Sequence, residues 1–248
     1  MSTNVFAAHG IEHLSPSSCN QWVSSPATFV LTRLLKQANS VGAGAHRGTA
    51  VEDGIATGLR DPGASLADCI KVAQDRFNSL TALSVDPKLD KEREAIPGFV
   101  EIGLREIKPY GVPTALQGKV ELKVDNLAVP IMGYFDFRFG NIIVDLKTSH
   151  SLASKISNSH ARQVALYSAA EGADGRVAYV TSKKAAVYGL ENVQEHVKAL
   201  GNIALSIQKF LSISSDPMEL AQFVVPDVDS FYFSDPLTRQ KAFEVWGV

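Results

Sequence analysis

Only Gly140 and Asn141 separate two runs, 131–139 and 142–147, that are both rich in β-branched and aromatic residues. A glycine-asparagine pair between such runs signals a two-residue β-hairpin, and a turn of that length fixes which residues meet. Pairing then runs Phe139 with Ile142, Arg138 with Ile143, Phe137 with Val144 and Asp136 with Asp145. Successive side chains of a strand alternate faces. Phe135, Phe137 and Phe139 therefore share one face and leave Asp136 on the other with Tyr134 and Arg138. On the next strand Asp145 and Lys147 share a face, opposite Val144 and Leu146. Asp136, Asp145 and Lys147 converge. Opposed residues have Cβ atoms roughly 4.5–5.5 Å apart, where like charges repel, so something positive belongs between the two aspartates.

A hard cation such as Mg²⁺ or Mn²⁺ prefers oxygen ligands and keeps several waters, so two carboxylates form part of a cage for one. Lysine beside them adds a movable positive charge. This set suits phosphodiester hydrolysis: the cation neutralises phosphate and acidifies a bound water, and the lysine orients that water or stabilises the developing charge. The alternative is a surface hairpin on which Lys147 makes an ordinary ion pair. Exposed pairs contribute only about 0–1 kcal/mol and would leave two opposed aspartates unexplained.

The 248 residues suffice for one substantial core or two small ones. No apolar run is long enough to span a bilayer, and the segment from Met1 to Gly10 has neither a basic start nor a long apolar stretch, which points to the cytoplasm and to no membrane partner. Cys19 and Cys69 lie far apart without CxxC spacing, which argues against a zinc ribbon, an iron-sulfur cluster or a disulfide framework. A formal net charge of −2 excludes a generally basic coat, so any nucleic acid must be held by a local groove and by metal ions.

Along the chain, Leu14-Ser15-Pro16-Ser17-Ser18 suits a helix start and Ser25-Pro26 repeats it, followed by an apolar stripe of Phe29, Val30, Leu31, Leu34 and Leu35. A glycine and alanine loop at 41–45 leads into a helix ending near Leu59. Ser65 caps another helix to about Leu80, and a third spans 88–108 with a break near Pro97. After Pro113 strands are expected at 120–123, 131–139 and 142–147. Then come a helix at 159–171 closed by Gly172, strands at 176–181 and 186–190 joined by a turn at Lys183-Lys184, and a helix from Asn192 to about Leu211. The tail, 225–248, reads as an ordered extension in which Tyr232, Phe233 and Trp246 are packing anchors.

Asp136 followed by Asp145-Leu146-Lys147 resembles the D…(D/E)xK signature of the PD-(D/E)xK nuclease superfamily, and the wider pattern is similar to its RecB-like and phage recombination exonuclease branches. Leu14-Ser15-Pro16-Ser17-Ser18 resembles the N-terminal helix opening of RecB-like nucleases. Arg47-Gly48-Thr49-Ala50-Val51-Glu52 resembles their helix bearing the first metal ligand, and Gln163 with Tyr167 matches their QxxxY motif. Four ordered matches cover roughly residues 14–170. The resemblance implies an α/β (α+β) fold with a restriction-endonuclease-like core, a mixed β-sheet flanked by helices, and a helical N-terminal half. It treats 1–248 as one nuclease domain: 1–112 mainly helical, 113–215 the sheet-and-helix catalytic core, 216–248 a C-terminal extension.

Carried over by position, it implies that Glu52, Asp136 and Asp145 bind Mg²⁺ or Mn²⁺ with the backbone carbonyl of Leu146, and that Lys147 is the catalytic lysine. Taken alone, Glu52 would be a solvated helix residue; Gly48, one turn earlier on the same face, lets that helix come close to a site. Many RecB-like members carry a histidine where this chain has Glu52, which points towards the phage type. His46 projects from a different face and reads as a loop or surface residue. Gln163 and Tyr167, four apart, share a helix face and either line the groove or form an ordinary half-buried face. Arg47, Thr148, Lys155 and Arg162 are candidate DNA-phosphate contacts.

The leading expectation is a metal-dependent DNA exonuclease in recombination or end processing. Its alternatives are a structure-selective or site-specific endonuclease and a nuclease-derived module that binds DNA without cutting. No GxxxxGK[ST] motif is present, so unwinding would need a helicase, and strand annealing a single-strand annealing protein, as a separate partner. The four-cysteine cluster of CRISPR-associated RecB-like proteins is missing. Strand polarity and oligomeric state are left open.

Overall fold

A computed structural model describes residues 4–37 and 41–248. In chain order its elements are α1 (Val5–Ala8), α2 (Pro16–Ser24), α3 (Pro26–Phe29) running into a π turn (Val30–Leu34), α4 (Ala43–Arg60), α5 (Leu66–Leu80) and α6 (Leu89–Ile107). There follow β1 (Ala115–Leu122), β2 (Ile131–Phe139), β3 (Ile142–Thr148), α7 (Asn158–Glu171), β4 (Asp174–Val180), β5 (Ala185–Gly189), α8 (Val193–Leu211), α9 (Pro217–Ala221) and α10 (Pro236–Trp246). The five strands form one sheet in the order β1-β2-β3-β4-β5, with β2–β3 and β4–β5 antiparallel and β3–β4 parallel. This is the mixed sheet flanked by helices that the sequence implied, with α7 as the crossover that a parallel pair requires.

The chain divides into two compact units. One comprises 41–119 and 134–191, the other 1–40, 120–133 and 192–248, so β1 and β2 contribute residues to both. In the first, Phe137, Phe139, Val144, Leu146, Ala178 and Val180 make one side of a buried cluster, and Val51 and Ile55 of α4, Phe77 of α5 and Phe99 and Val100 of α6 make the other. Helix α4 can nest against its neighbours because Gly54 and Gly58 have no side chain: a Cβ at Gly54 would lie 2.7 Å from the Cys69 carbonyl oxygen, and one at Gly58 2.8 Å from Cys69 Sγ. Its first turn is capped from afar, the Asp86 carboxylate accepting the Ala43 N–H at 2.8 Å. That explains why α4 begins inside the stretch expected to be a loop: the cap comes from a residue 43 positions away.

In the other unit Ser15 and Ser18 form a reciprocal capping box at the start of α2, with Pro16 in the first turn. Trp22 of α2 packs against Phe29 and Phe210, ring centroids 5.4 and 4.8 Å away, and its indole N–H donates to Ser206 Oγ of α8 at 3.0 Å. Leu14 bridges to Ile131 of β2. Phe233 is wholly buried and the Trp246 indole donates to the Ala221 carbonyl at 2.8 Å, so both anchor the tail as expected, whereas Tyr232 stays 40% exposed.

Three expectations need correction. Helix α6 continues through Pro97 without a break. Proline withdraws one N–H from the ladder, but the helix face carrying Ile96, Phe99, Val100 and Ile102 is buried, and this packing outweighs one lost hydrogen bond. Strand β1 begins at Ala115, five residues before the expected 120, because its first half has no β-branched residues to announce it. The short helices α1, α9 and α10 were not foreseen, since each lacks a long apolar stripe. Among the described residues no helix is long and apolar enough to cross a membrane.

Candidate functional site

The hairpin has the expected register over three pairs, Phe139 with Ile142, Arg138 with Ile143 and Phe137 with Val144, and Gly140 alone of the two turn residues takes a left-handed φ, +56°. The ladder ends at the third pair. Had it continued, the Leu146 N–H would have gone to the Phe135 carbonyl of β2. Instead Asp136 Oδ2 accepts that N–H at 2.6 Å. The predicted fourth pair, Asp136 facing Asp145, is thereby replaced by a side chain that reaches across to β3. Alternation changes with it. Phe137 and Phe139 stay in the cluster with α4 and α6, but the Phe135 ring lies 6.4 Å from that of Tyr167 on α7, over Gly118, where a Cβ would meet its Cζ at 2.1 Å. The three phenylalanines do not share one environment, as strict alternation had implied.

Asp145 is fully buried. The Lys147 ammonium stands 2.8 Å from its Oδ2 as an ion-pair contact without aligned hydrogen-bond geometry, and Oδ1 meets no donor among the described residues. Burial, then the nearby Asp145 and Glu52 charges, push the Asp136 carboxyl well above the usual carboxylate range. The Glu52 carboxyl is also raised, by burial against the lowering hydrogen bond from Gln117, with the Asp53 and Asp145 charges adding to it. Burial works against the charge on Lys147, but Asp145, Asp136 and Glu52 outweigh it and hold the ammonium above its ordinary value. Three carboxylates thus face one lysine in a poorly solvated corner. Glu52 and Asp136 also line a cleft of about 190 Å³, together with Leu116 and Gln117 among others.

Among the described residues no three His, Cys, Asp or Glu side chains are arranged to hold one metal ion. The Glu52 Oε1 instead accepts the Gln117 amide N–H at 2.9 Å. Gln117 has φ +49°, a conformation uncommon for any residue but glycine, and its side chain enters the site from the middle of β1. Nothing in the sequence marked it. The donor chemistry nevertheless fits a hard divalent cation: a buried carboxylate oxygen without a donor, a second carboxylate beside it, and a third on a flexible side chain at the cleft wall. The N–H and C=O of one residue leave an extended strand on the same side, so the Leu146 carbonyl faces β2 along with its N–H, beyond the end of the ladder.

Helix α7 is capped by Ser157 and packs on the Asp145 face of the sheet, where a Cβ at Gly175 of β4 would meet Ser168 Oγ at 2.2 Å. Gln163 Nε2 donates to the Tyr167 hydroxyl at 2.8 Å, so the two motif residues do meet. Burial and the Asp145 carboxylate keep Tyr167 a neutral phenol. A Cβ at Gly48 would lie 3.4 Å from Thr148 Oγ1, an ordinary contact, so the absence of a side chain there is not what sets the approach of α4.

Arg47, expected at DNA phosphate, is turned inward: it is 4% exposed, ion-paired to Glu92, donates to the Thr148 carbonyl at 3.1 Å, and lies over the Phe99 ring at 4.4 Å. His150 Nε2 joins Glu92 at 2.9 Å. With both terminal nitrogens engaged this way, Arg47 ties α4, α6 and the end of β3 together and does not reach solvent. Lys155 is exposed on the loop before α7, Arg162 is half-buried within that helix, and Thr148 is half-buried with its carbonyl held by Arg47. Glu92, His150, His160 and Tyr179 were missed by sequence reading; only His160, three before Gln163 on one helix face, carried a usable signal.

No protein-family model matches the chain, and no curated protein matches it either. Solved structures do. Over 94% of this chain and 91% of the other, a crystal structure from Eubacterium rectale, described as a candidate exonuclease, superposes with a TM-score of 0.60 at 11% sequence identity. The two chains share a fold. At that identity the likeness speaks for architecture alone. A second structure, SSO0001, matches 65% of this chain and 85% of its own at 18% identity with a TM-score of 0.35, too loose to argue from.

Proposed function

We propose that this protein is a metal-dependent DNA nuclease of the PD-(D/E)xK type, acting as an exonuclease in recombination or end processing. The observation that carries the reading is Asp145: a carboxylate with no exposed surface, one oxygen lacking a donor, flanked by Asp136 and Lys147 at a break in the sheet. Natural folds seldom keep such a charge without a use for it. The shared fold with a candidate exonuclease supports the same reading.

Asp136, Asp145 and the Leu146 carbonyl would hold Mg²⁺ or Mn²⁺, with Glu52 joining by turning from Gln117. The cation, when bound, supplies charge neutralisation at phosphate and acidifies a coordinated water. The protein's own groups do the rest. Lys147, whose ammonium the neighbouring carboxylates favour, donates a hydrogen bond to the attacking water or to a phosphate oxygen as negative charge develops there. Asp136 is fixed by the Leu146 N–H, so one oxygen is spent on the backbone and the other is left for the site. Tyr167 and Gln163 steady one another on the face that covers it, and the cleft beside Glu52 and Gln117 gives phosphate its approach.

The test is end-labelled linear DNA and closed circular DNA incubated with Mg²⁺, Mn²⁺ or EDTA, alongside Asp145→Asn and Lys147→Ala. Metal-dependent loss of linear DNA alone is the expected result. Cleavage of circles would move the assignment to an endonuclease, and inert protein under all conditions would leave a non-cutting module.

A further inference from the structure

Beside the acidic corner lies a second group of polar side chains, those of Tyr179 and His160. In the parallel register of β3 and β4, Tyr179 sits directly beside Lys147, on the face that carries Asp145. The Tyr179 side chain is 4% exposed, and its hydroxyl is held at 2.7 Å from His160 Nδ1, the two ring centroids 5.5 Å apart. The backbone N–H of Ser157 donates to the same hydroxyl oxygen at 3.3 Å. His160 stands in the first turn of α7, with Gln163 and Tyr167 following at +3 and +7 along one helix face.

These contacts favour one place for the imidazole proton. With the Ser157 N–H occupying the phenol oxygen as acceptor, the hydroxyl hydrogen must find an acceptor of its own. Among the described residues His160 Nδ1 is the one acceptor recorded for it. Nδ1 is therefore bare and the ring carries its hydrogen on Nε2. Nε2 has no recorded protein partner among the described residues, and the ring is only half-buried. Burial and the Lys147 cation both lower the tendency of this ring to take a second proton, in keeping with a neutral donor at neutral pH.

Resting on the nuclease reading, we infer that His160 is a further substrate-contacting residue, its Nε2–H donating to a phosphate oxygen of the DNA backbone next to Lys147. Tyr179 acts through it as a positioning residue, setting the tautomer with the Ser157 N–H behind it. A neutral donor is suited to this place: it binds phosphate without adding a second full positive charge beside Lys147, which would weaken the ion pair with Asp145.

The experiment compares wild-type protein with His160→Ala, His160→Gln and Tyr179→Phe on linear DNA in Mg²⁺, and reads the imidazole tautomer of uniformly ¹⁵N-labelled wild-type protein by long-range ¹H–¹⁵N correlation, assigned against His160→Gln. Glutamine places an amide N–H near the position of Nε2. The expected result is an Nε2–H tautomer and a fall in kcat/KM of about 10–100-fold for His160→Ala, the range of one hydrogen bond to a charged group. His160→Gln should recover most of that loss, and Tyr179→Phe should show a mixture of tautomers with an intermediate rate. An Nδ1–H tautomer in the wild type overturns the inference, as does His160→Ala within about twofold of wild type in kcat/KM. Equal losses in the Ala and Gln variants with matched falls in melting temperature would reduce His160 to a structural part. A wild type inert on DNA with either metal removes the nuclease reading and this inference with it, whereas an active wild type with an unaffected His160→Ala removes this inference alone.

Discussion

Asp136 and Asp145 look interchangeable in a motif and are not. Asp136 holds the Leu146 N–H with one oxygen, while Asp145 depends on Lys147 for compensation. Asparagine at 136 keeps an acceptor for that N–H and removes a charge that the neighbouring Asp145 and Glu52 carboxylates oppose. Asp136→Asn is expected to leave the thermal midpoint unchanged or raise it, while cutting nuclease activity by at least about 100-fold. A clear drop in the midpoint would contradict this repulsion. Glu92 behaves the opposite way. Burial disfavours its charge, but the hydrogen bond from His150 and the Arg47 cation outweigh this and hold its carboxyl below the usual range. A depressed carboxyl adds stability that is present above its unfolded value and lost as pH falls through the folded one, so this pair should contribute to acid unfolding. Glu92→Gln strands the enclosed Arg47 and is expected to cost about 3–5 kcal/mol in urea unfolding at neutral pH, with a flatter acid limb. At this scale turn length and helix period showed that Asp136 lies near Asp145 and Lys147 and that Gln163 meets Tyr167, but not that Asp136 reaches across to the Leu146 N–H. The sequence did not display Gln117, Glu92 or Tyr179, which arrive through long-range packing, and it put Arg47 outside when Glu92 draws it in.

Among the elements, period and punctuation were readable where they act locally. The Ser65 cap, the Gly140-Asn141 turn and the left-handed Gly172 that ends α7 all stand where the residues put them. Pro97 misled because a local rule lost to the buried face around it, and β1 was cut short because its first half earns its place through contact. Gly118 is that contact, lying beneath Phe135. Gly118→Ala should force the Phe135 ring off Tyr167 and destabilise the protein by about 1–3 kcal/mol, the usual cost of overpacking, measured by urea unfolding. Gly54→Ala on α4 should cost a similar amount, since its Cβ would meet the backbone carbonyl of Cys69 rather than a movable side-chain tip. An unchanged midpoint for either variant would show that the surroundings of that glycine yield to a Cβ without penalty.

At the level of the whole chain, each compact unit is assembled from segments distant in sequence, with 192–248 returning to 1–40 and 120–133. Trp22 finds Phe210 and Ser206 there, and Val124 finds Gly201. Sequence periodicity cannot reveal such returns, since it reports faces and not partners. A chain ended at residue 191 would leave those apolar faces bare, and it is expected to aggregate or to elute as expanded species in gel filtration; a compact, soluble 1–191 fragment would contradict this. On the function proposed above, the break in the hairpin builds a cation site for phosphodiester hydrolysis. Crystals of the full chain soaked in Mn²⁺ and measured at the manganese absorption edge address it most directly. An anomalous peak between the carboxylates of Asp136 and Asp145, absent in Asp145→Asn, is the predicted result. No peak there, or a peak that persists in Asp145→Asn, would contradict it.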